Sequence, residues 1–202
     1  MFINLAPKYG LNYKAGQVYF TFNSKNIVSK GVAYFTYDSD DEYKKLEVAS
    51  HCGICIGGGK GISALNQGIA EENLNNIFED SNRRVFFKEP KLLDSIGSRQ
   101  IILLSKMLIG LQYDWSLASG FAICNSLPFS IIFSEAKRKE FIRTFKTPGK
   151  FICSEFVMYV MNNCRMTNDI DFIRSPHEVF NHDLFKTWKK DLTLNDQTVI
   201  IG

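Results

Sequence analysis

The sequence predicts an α+β protein, with strand candidates concentrated in the first half of the chain and helix candidates in the second. Short runs rich in aromatic and β-branched residues recur before residue 90, and such runs are typical of strands. After residue 95 the apolar residues recur at offsets of three and four, which is the spacing of one helix face. Strands followed by helices, rather than a strict alternation of the two, favour the α+β class.

Length and composition are those of an ordinary globular protein. The 202 residues are expected to form a single domain, 1–202, and are 45% hydrophobic and 22% charged. The net charge of +3 is not concentrated in a run, so it gives little support for binding to nucleic acid or to a membrane surface. No apolar stretch reaches the 18 residues of a membrane span, and no integral membrane segment is expected.

Cysteine usage and the N-terminal sequence favour a cytoplasmic location. Five cysteines, an odd number with irregular spacing, do not form the pattern of a disulfide framework. The first residues lack a basic region followed by a long apolar core, which a signal peptide requires. A signal peptide that has been trimmed away is the alternative.

Five segments are strand candidates. They are residues 17–22, 31–37, 50–56, 61–65 and 83–88. A glycine run at 57–61 connects two of them as a hairpin, and it lacks the Gly-Lys-Ser/Thr ending of a phosphate-binding loop. Residues 66–82 are polar and rich in asparagine, and we expect a loop or a short helix there.

Four helices are predicted in the second half. Residues 98–110 carry an apolar face and end at Gly110, and Ser134 is placed to cap a charged helix. Ser175 and Pro176 match the N-cap and first position of the last helix. The remaining helix begins at Cys153.

Cys153 opens the stretch around which the chain is organised, Gly-Lys-Phe-Ile-Cys-Ser-Glu-Phe-Val at 149–157. The apolar residues that follow it fall on one helix face, so the thiol is predicted in the first turn. Free N–H groups and the helix dipole favour an anion at that position, and the thiolate is the nucleophilic form of cysteine. The alternative is a buried cysteine in the core, because free cysteine is among the most buried residue types.

A nucleophilic thiol needs a histidine, and His51 is the only one in the first 176 residues. It begins a strand and precedes small residues, which leaves space around the ring. Cys52 and Cys55 form a Cys-x-x-Cys pair, but residues three apart on a strand point to opposite faces and cannot easily share a metal. His177 and His182 are expected at the surface, five positions apart and poorly placed to bind a metal together.

The order of these segments resembles the circularly permuted papain-like hydrolases of the NlpC-related, YiiX-like group. The resemblance spans about residues 15–182 and depends on five short motifs: Gly-Gln-Val at 16–18, Ser-His-x-Gly-Ile at 50–54, Gly-Leu-Gln-Tyr-Asp at 110–114, Phe-Ile-Cys-Ser-Glu-Phe-Val at 151–157, and Ser-Pro at 175–176. In unpermuted relatives the nucleophile follows a Tyr-Asp pair, whereas Tyr113-Asp114 is followed here by Trp115. The resemblance implies an antiparallel sheet or half-barrel packed against helices, with the nucleophile at a helix N-terminus.

The resemblance also implies roles for particular residues. Cys153 is the expected nucleophile and His51 its base. The family usually has an acidic residue or a histidine on the strand after the catalytic histidine; here the matching place is near Ser63, with Asn66 or Gln67 as substitutes. We further expect Gly57, Tyr113 and Trp115 to line the substrate cleft.

The expected activity is that of a cysteine hydrolase cleaving an amide, peptide or isopeptide bond through an acyl-enzyme. It needs no metal and no organic cofactor, and its substrate is expected to be a peptide, a modified amino acid or a small acyl-bearing molecule. A lipid acyltransferase or thioesterase of a related permuted fold is one alternative. A binding module that has lost strong catalysis is the other, because Ser63 is a weak partner for a catalytic histidine.

Overall fold

The computed structural model describes residues 14–23, 25–26, 29–30, 32, 49–80, 82–124 and 132–186, together with the backbone of 2–4 and 198–200. In this part of the chain an antiparallel sheet of five strands packs against helices. The strands, in chain order, are β2 (Val18–Asn23), β3 (His51–Gly57), β4 (Lys60–Leu65), β5 (Gly68–Asn73) and β6 (Arg83–Lys88). Two short terminal strands, β1 (Phe2–Asn4) and β7 (Thr198–Ile200), form a separate antiparallel pair.

The five-stranded sheet has the order β5-β4-β3-β2-β6, and every pair in it is antiparallel. In the β2–β3 pair, Thr21 lies opposite His51 and Phe20 lies opposite Cys52. The β3–β4 pairing begins only at Ile54. The first three residues of β3 are therefore paired on one side alone, and this is the end of the strand that carries His51.

Six helices complete the described architecture. They are α1 (Leu74–Glu79), α2 (Ser95–Met107), α3 (Trp115–Cys124), α4 (Glu135–Arg143), α5 (Cys153–Asn163) and α6 (Pro176–Phe180). Helix α5 packs on β3 and β4 and is buried along most of its length. None of the described helices combines the length and apolar character needed to cross a bilayer.

The two faces of the sheet bury different sets of side chains, as the two-residue period of a strand requires. One face packs against α5 and α6 and includes Phe20, Cys52 and Ile54 together with Phe156 and Val157. The other face packs against α1 and is formed by Tyr19, Cys55, Leu74, Ile77, Phe78, Val85 and Phe87. Cys52 and Cys55 lie on opposite faces, as predicted.

Most of the sequence-based assignments agree with this structure, with one clear omission. The predicted strands at 17–22, 50–56, 61–65 and 83–88 correspond to β2, β3, β4 and β6, and α2 and α5 cover the predicted helices. The strand predicted at 31–37 lies outside the described residues apart from position 32. The assignment of 66–82 to a loop or short helix agrees with the turn at 66–67 and with α1, but it missed β5.

The predicted N-caps are also present. The Ser175 hydroxyl accepts a hydrogen bond from the Glu178 N–H, and the Glu178 carboxylate accepts one from the Ser175 backbone N–H. These two bonds complete a capping box, with Pro176 at the start of α6. Ser134 occupies the N-cap position of α4, although its side chain makes no capping hydrogen bond.

Candidate active site

Cys153 is the first residue of α5, and its side chain is 6% exposed. The helix is fixed at this end by Phe156 and Val157, which are fully buried against the sheet. Ile152 is the N-cap and provides no side-chain hydrogen bond to the first turn. A sulfur at this position lies in the first turn, where free N–H groups and the helix dipole favour an anion.

The Cys153 sulfur lies near the start of β3, where this strand pairs with β2 but not with β4. The groups that lower the pKa of its thiol are the Cys52 thiol, the His51 ring and the backbone N–H of Cys52. That N–H is available because the β3–β4 pairing starts only at Ile54. The interaction with the Cys52 thiol is the largest influence on the pKa of Cys153. Burial alone would raise this pKa, but the Cys52 thiol and the positively charged His51 ring together lower it well below its usual range. Burial, followed by the bond to Cys153 and its negative charge, raises the pKa of Cys52, so Cys153 is the thiolate of the pair.

His51 lies between the sulfur and a carboxylate. Its Nε2 is 3.4 Å from Oε2 of Glu72, and the side chain is 22% exposed. Burial opposes a charged ring, but hydrogen bonds to Cys153 and Glu72 and the negative charges of both raise the pKa of His51 to about 10. At neutral pH the three side chains therefore form a thiolate, an imidazolium and a carboxylate, which we call the Cys–His–Glu cluster.

Glu72 is held in place by two hydroxyl groups. The Tyr19 and Ser63 hydroxyls both donate to Oε2, the same oxygen that faces His51. Burial disfavours the carboxylate, but the bond and charge of His51, followed by the bonds from Ser63 and Tyr19, lower the pKa of Glu72 to about 2. The carboxylate is therefore ionised across the whole physiological pH range.

Two glycines allow the Tyr19 ring to reach this position. A Cβ added at Gly53 would lie 2.3 Å from the Tyr19 hydroxyl oxygen, and one added at Gly61 would lie 2.6 Å from the ring. Real Cβ atoms do not approach other atoms so closely. The Tyr19 ring therefore lies flat over the backbone of β3 and β4, on the sheet face that also presents Ser63 and Glu72.

Tyr113 and Trp115 lie beside the cluster. Tyr113 forms a parallel bridge with Phe151, two residues before Cys153, and its ring centroid is 4.8 Å from that of Trp115. Burial, followed by the negative charges of Cys153, Cys52 and Asp114, raises the pKa of Tyr113. Trp115 is 58% exposed, so the pair has a buried end at the thiol and an open end at the surface.

A buried ion-pair network attaches this segment to the first turn of α5. Lys146 Nζ lies 3.3 Å from Oδ2 of Asp114 and 3.0 Å from Oε1 of Glu155, and both carboxylate side chains are at most 5% exposed. Asp114 also accepts hydrogen bonds from the backbone N–H groups of Leu117 and Thr147. The network therefore fixes the turn before α5 and the start of α3 relative to the first turn of α5.

The structure brings together Cys153, His51 and Tyr113, but it places the other predicted site residues differently. Gly57 ends β3, six residues from His51, and at about 3.4 Å per residue it lies roughly 20 Å away along the strand. Ser63 contacts Glu72 rather than the histidine ring. Asn66 and Gln67 form the turn between β4 and β5.

Glu72 is the residue that sequence reasoning missed. Its region was assigned to a loop because Ala-Glu-Glu-Asn at 70–73 contains few strand-forming residues. A signal was present in the short polar turn that ends at Gly68. The φ angle of Gly68 is +114°, which suits glycine, and the turn leads from β4 into a third strand of the meander. Once β5 is recognised, the two-residue period places Glu72 on the same face as Ser63 and Tyr19.

The two remaining histidines are structural, and the expectation that they are exposed was wrong. His177 is 1% exposed, and the His182 side chain is 9% exposed and lies 2.8 Å from Asp169. In the part of the chain that the structure describes, no three His, Cys, Asp or Glu side chains converge in a way that could hold a metal ion.

The fold and the site define an α+β protein with a partly buried Cys–His–Glu cluster at the junction of a helix N-terminus and a sheet. No family model matches the chain, and no curated protein matches it in sequence.

Proposed function

We propose that this protein is a cysteine hydrolase with a permuted papain-like fold that cleaves an amide, peptide or isopeptide bond. The observation that carries the proposal is the position of His51, which interacts with the Cys153 thiol strongly enough to shift the pKa of both groups and lies 3.4 Å from the Glu72 carboxylate. A thiol at a helix N-terminus, a base and a group that orients the base are the three parts of a nucleophilic cysteine site.

The charges of the cluster are suited to the first half of this reaction. The Cys153 thiolate attacks the carbonyl carbon, a C–S bond forms, and the electron pair of the C=O bond moves to the oxygen. The backbone N–H of Cys153, at the start of α5, stabilises that oxyanion. When the oxyanion collapses, the bond to the leaving nitrogen breaks and the His51 imidazolium gives its proton to that nitrogen.

The second half of the reaction returns the cluster to its starting state. The acyl group is now on Cys153, and neutral His51 accepts a proton from a water molecule as the water attacks the carbonyl carbon. The C–S bond breaks, and the thiolate and the imidazolium form again. Glu72, held by Tyr19 and Ser63, keeps Nε2 of His51 engaged and stabilises the charged ring in both halves.

Glu72 also favours an enzyme over a binding module. The argument for a binding module was that Ser63 is a weak partner for the histidine. A carboxylate with two hydroxyl donors is a strong one, and a partly buried cluster of three charged groups is costly to keep in a protein that does not use it.

Alkylation of the thiols provides the test. Iodoacetamide at pH 6.5, followed by peptide mapping, should label Cys153 at least tenfold faster than the other four cysteines, whose thiols have raised pKa values. His51→Ala should remove most of that difference. The four other thiols in the same sample are the internal control for folding and reagent access.

Trapping of the acyl-enzyme completes the test. The protein is incubated with nitrophenyl ester, thioester and anilide substrates, and acylated Cys153 is detected by mass spectrometry. Equal and slow labelling of all five thiols, together with no acyl adduct on Cys153, would show that this is a binding protein and not a hydrolase.

A further inference from the structure

One side of α2 carries large apolar side chains that the fold leaves uncovered. Leu92, Ile96 and Leu103 are each 64% exposed and Met107 is 72% exposed. Within the helix, positions 96, 103 and 107 fall within about 40° of one another around the axis, so they form one line. We call these four residues the apolar stripe; between Ile96 and Met107 it is about 17 Å long.

The stripe forms one wall of a groove of about 650 Å³, whose opposite wall is the C-terminal end of α5 and the turn after it. The other side of α2 is the one that the core uses, because Gly97, Ile101 and Ser105 are buried. The helix is therefore anchored firmly while its apolar stripe faces outward. A buried anchor with an exposed apolar line is the arrangement of an interfacial helix.

Cations surround the stripe. Arg99 and Lys106 follow Ile96 and Leu103 by three positions on α2, Lys91 precedes the helix, and Arg165 lies on the opposite wall of the groove. All four are exposed, and none of them has an ion-pair partner among the residues that the structure describes. The acidic residue beside them, Asp94, accepts the N-cap hydrogen bond from Gly97.

Two cations of α4, Lys139 and Arg143, are in a different situation. Lys139 lies 3.1 Å from Glu178, and Arg143 lies 3.2 Å from Asp171, so their charges are balanced within the protein. The charge around the apolar stripe is not balanced in this way. The net charge of the whole chain is small, and the fold collects an excess of positive charge beside an apolar surface.

We propose that the apolar stripe and its four cations form a docking surface for a membrane that carries anionic lipids. The apolar side chains enter the boundary between headgroups and acyl chains, and the cations contact the lipid phosphates and carboxylates. Lipid headgroups are mobile and can reach all four cations at once. A second copy of the chain fits less well, because a symmetric contact would place the four cations against the same four cations.

This inference does not depend on the proposed hydrolase activity, and the experiment measures binding alone. The protein is mixed with vesicles of phosphatidylcholine, or of equimolar phosphatidylcholine and phosphatidylserine, and the bound fraction is determined by flotation. We expect binding to the vesicles that contain phosphatidylserine, with an apparent affinity that falls as salt is added. Cys153→Ala should bind as the wild type does, so a failure of catalysis and a failure of docking are distinguishable.

Two variants test the surface itself. Leu103→Gln should weaken vesicle binding roughly tenfold, because it removes a large apolar side chain from the contact. Arg99→Gln combined with Lys106→Gln should weaken binding by roughly twentyfold, or about fivefold for each cation. The controls are Ile170→Gln, at a side chain that is 82% exposed between Asp169 and Asp171, and Lys137→Gln on α4.

Three results would overturn the proposal. The first is no binding to either kind of vesicle, and the second is equal weakening by the stripe variants and by the controls. The third is a dimer, detected by light scattering in the absence of lipid, that Leu103→Gln converts to a monomer. That result would make a second copy of the chain, rather than a membrane, the occupant of the groove.

Discussion

Glu72→Gln removes the negative charge that faces His51 while keeping the size of the side chain. The pKa of Glu72 is lowered from 4.5 to about 2, with the bond and charge of His51 as the largest favourable cause. At 1.36 kcal/mol per pKa unit, this shift corresponds to about 3 kcal/mol of stabilisation of the Glu72 carboxylate. Coupling between two sites is reciprocal, so the part that comes from His51 stabilises the charged His51 ring equally. Ser63 and Tyr19 supply part of this stabilisation of the Glu72 carboxylate, and the rest comes from His51. Glu72→Gln should therefore lower the pKa of His51 from about 10 to between roughly 7.5 and 9.

The assay is an NMR titration of the histidine rings, with the His51 signal assigned from its absence in His51→Ala. Glu71→Gln is the matched control, because Glu71 is the adjacent residue on β5, is partly exposed and pairs with Lys60 at 3.0 Å. It should leave the His51 titration unchanged. A His51 pKa that is the same in Glu72→Gln and in Glu71→Gln would refute the assignment of Glu72 as the partner of the ring.

Three further outcomes are expected. Cys52→Ala removes the thiol that lowers the pKa of Cys153 most, so this pKa should rise by roughly one to two units. The pH profile of iodoacetamide alkylation measures the change. Cys55→Ala, on the other face of the sheet, should leave that profile unchanged. The pKa of Glu72 is lower in the folded protein than in the unfolded chain, so its stabilisation is complete above about pH 4.5 and is lost as the pH falls toward 2. Between these values the free energy of unfolding in urea should fall by up to about 3 kcal/mol more in the wild type than in Glu72→Gln, and parallel pH dependences would contradict this. Lys146→Met leaves Asp114 and Glu155 buried without their cation, and we expect a loss of about 3 kcal/mol in urea unfolding, against little change for Lys137→Met at the surface.

Much of the sheet was predictable because several of its strands are buried on both faces. β2 and β6 are dense in aromatic and β-branched residues, and such runs are recognisable without knowledge of their neighbours. β5 is an edge strand with charged residues, so its local composition does not identify it. The charge of Glu72 is compensated by groups on three other strands, and that information is absent from the sequence around position 72.

Cys153 and His51 were predicted as site residues for different reasons. The first-turn position of Cys153 follows from the spacing of the apolar residues on α5, and the structure has the helix beginning at that residue. The contact of His51 with Cys153 joins residues about a hundred positions apart, and only the resemblance to a family suggested it. The role of Cys52 could not be predicted at all, because it depends on the register at which the β3–β4 pairing begins.

The absence of side chains at Gly53 and Gly61 has a consequence for how mutagenesis of this protein must be interpreted. Alanine scanning treats every substitution as a deletion, but at these two positions alanine is an addition. One methyl group there would meet the phenol of Tyr19 and lift it from the sheet, and the hydroxyl would lose its hydrogen bond to the Glu72 carboxylate, three strands away. A loss of activity in Gly53→Ala would therefore report on a residue that has not been changed.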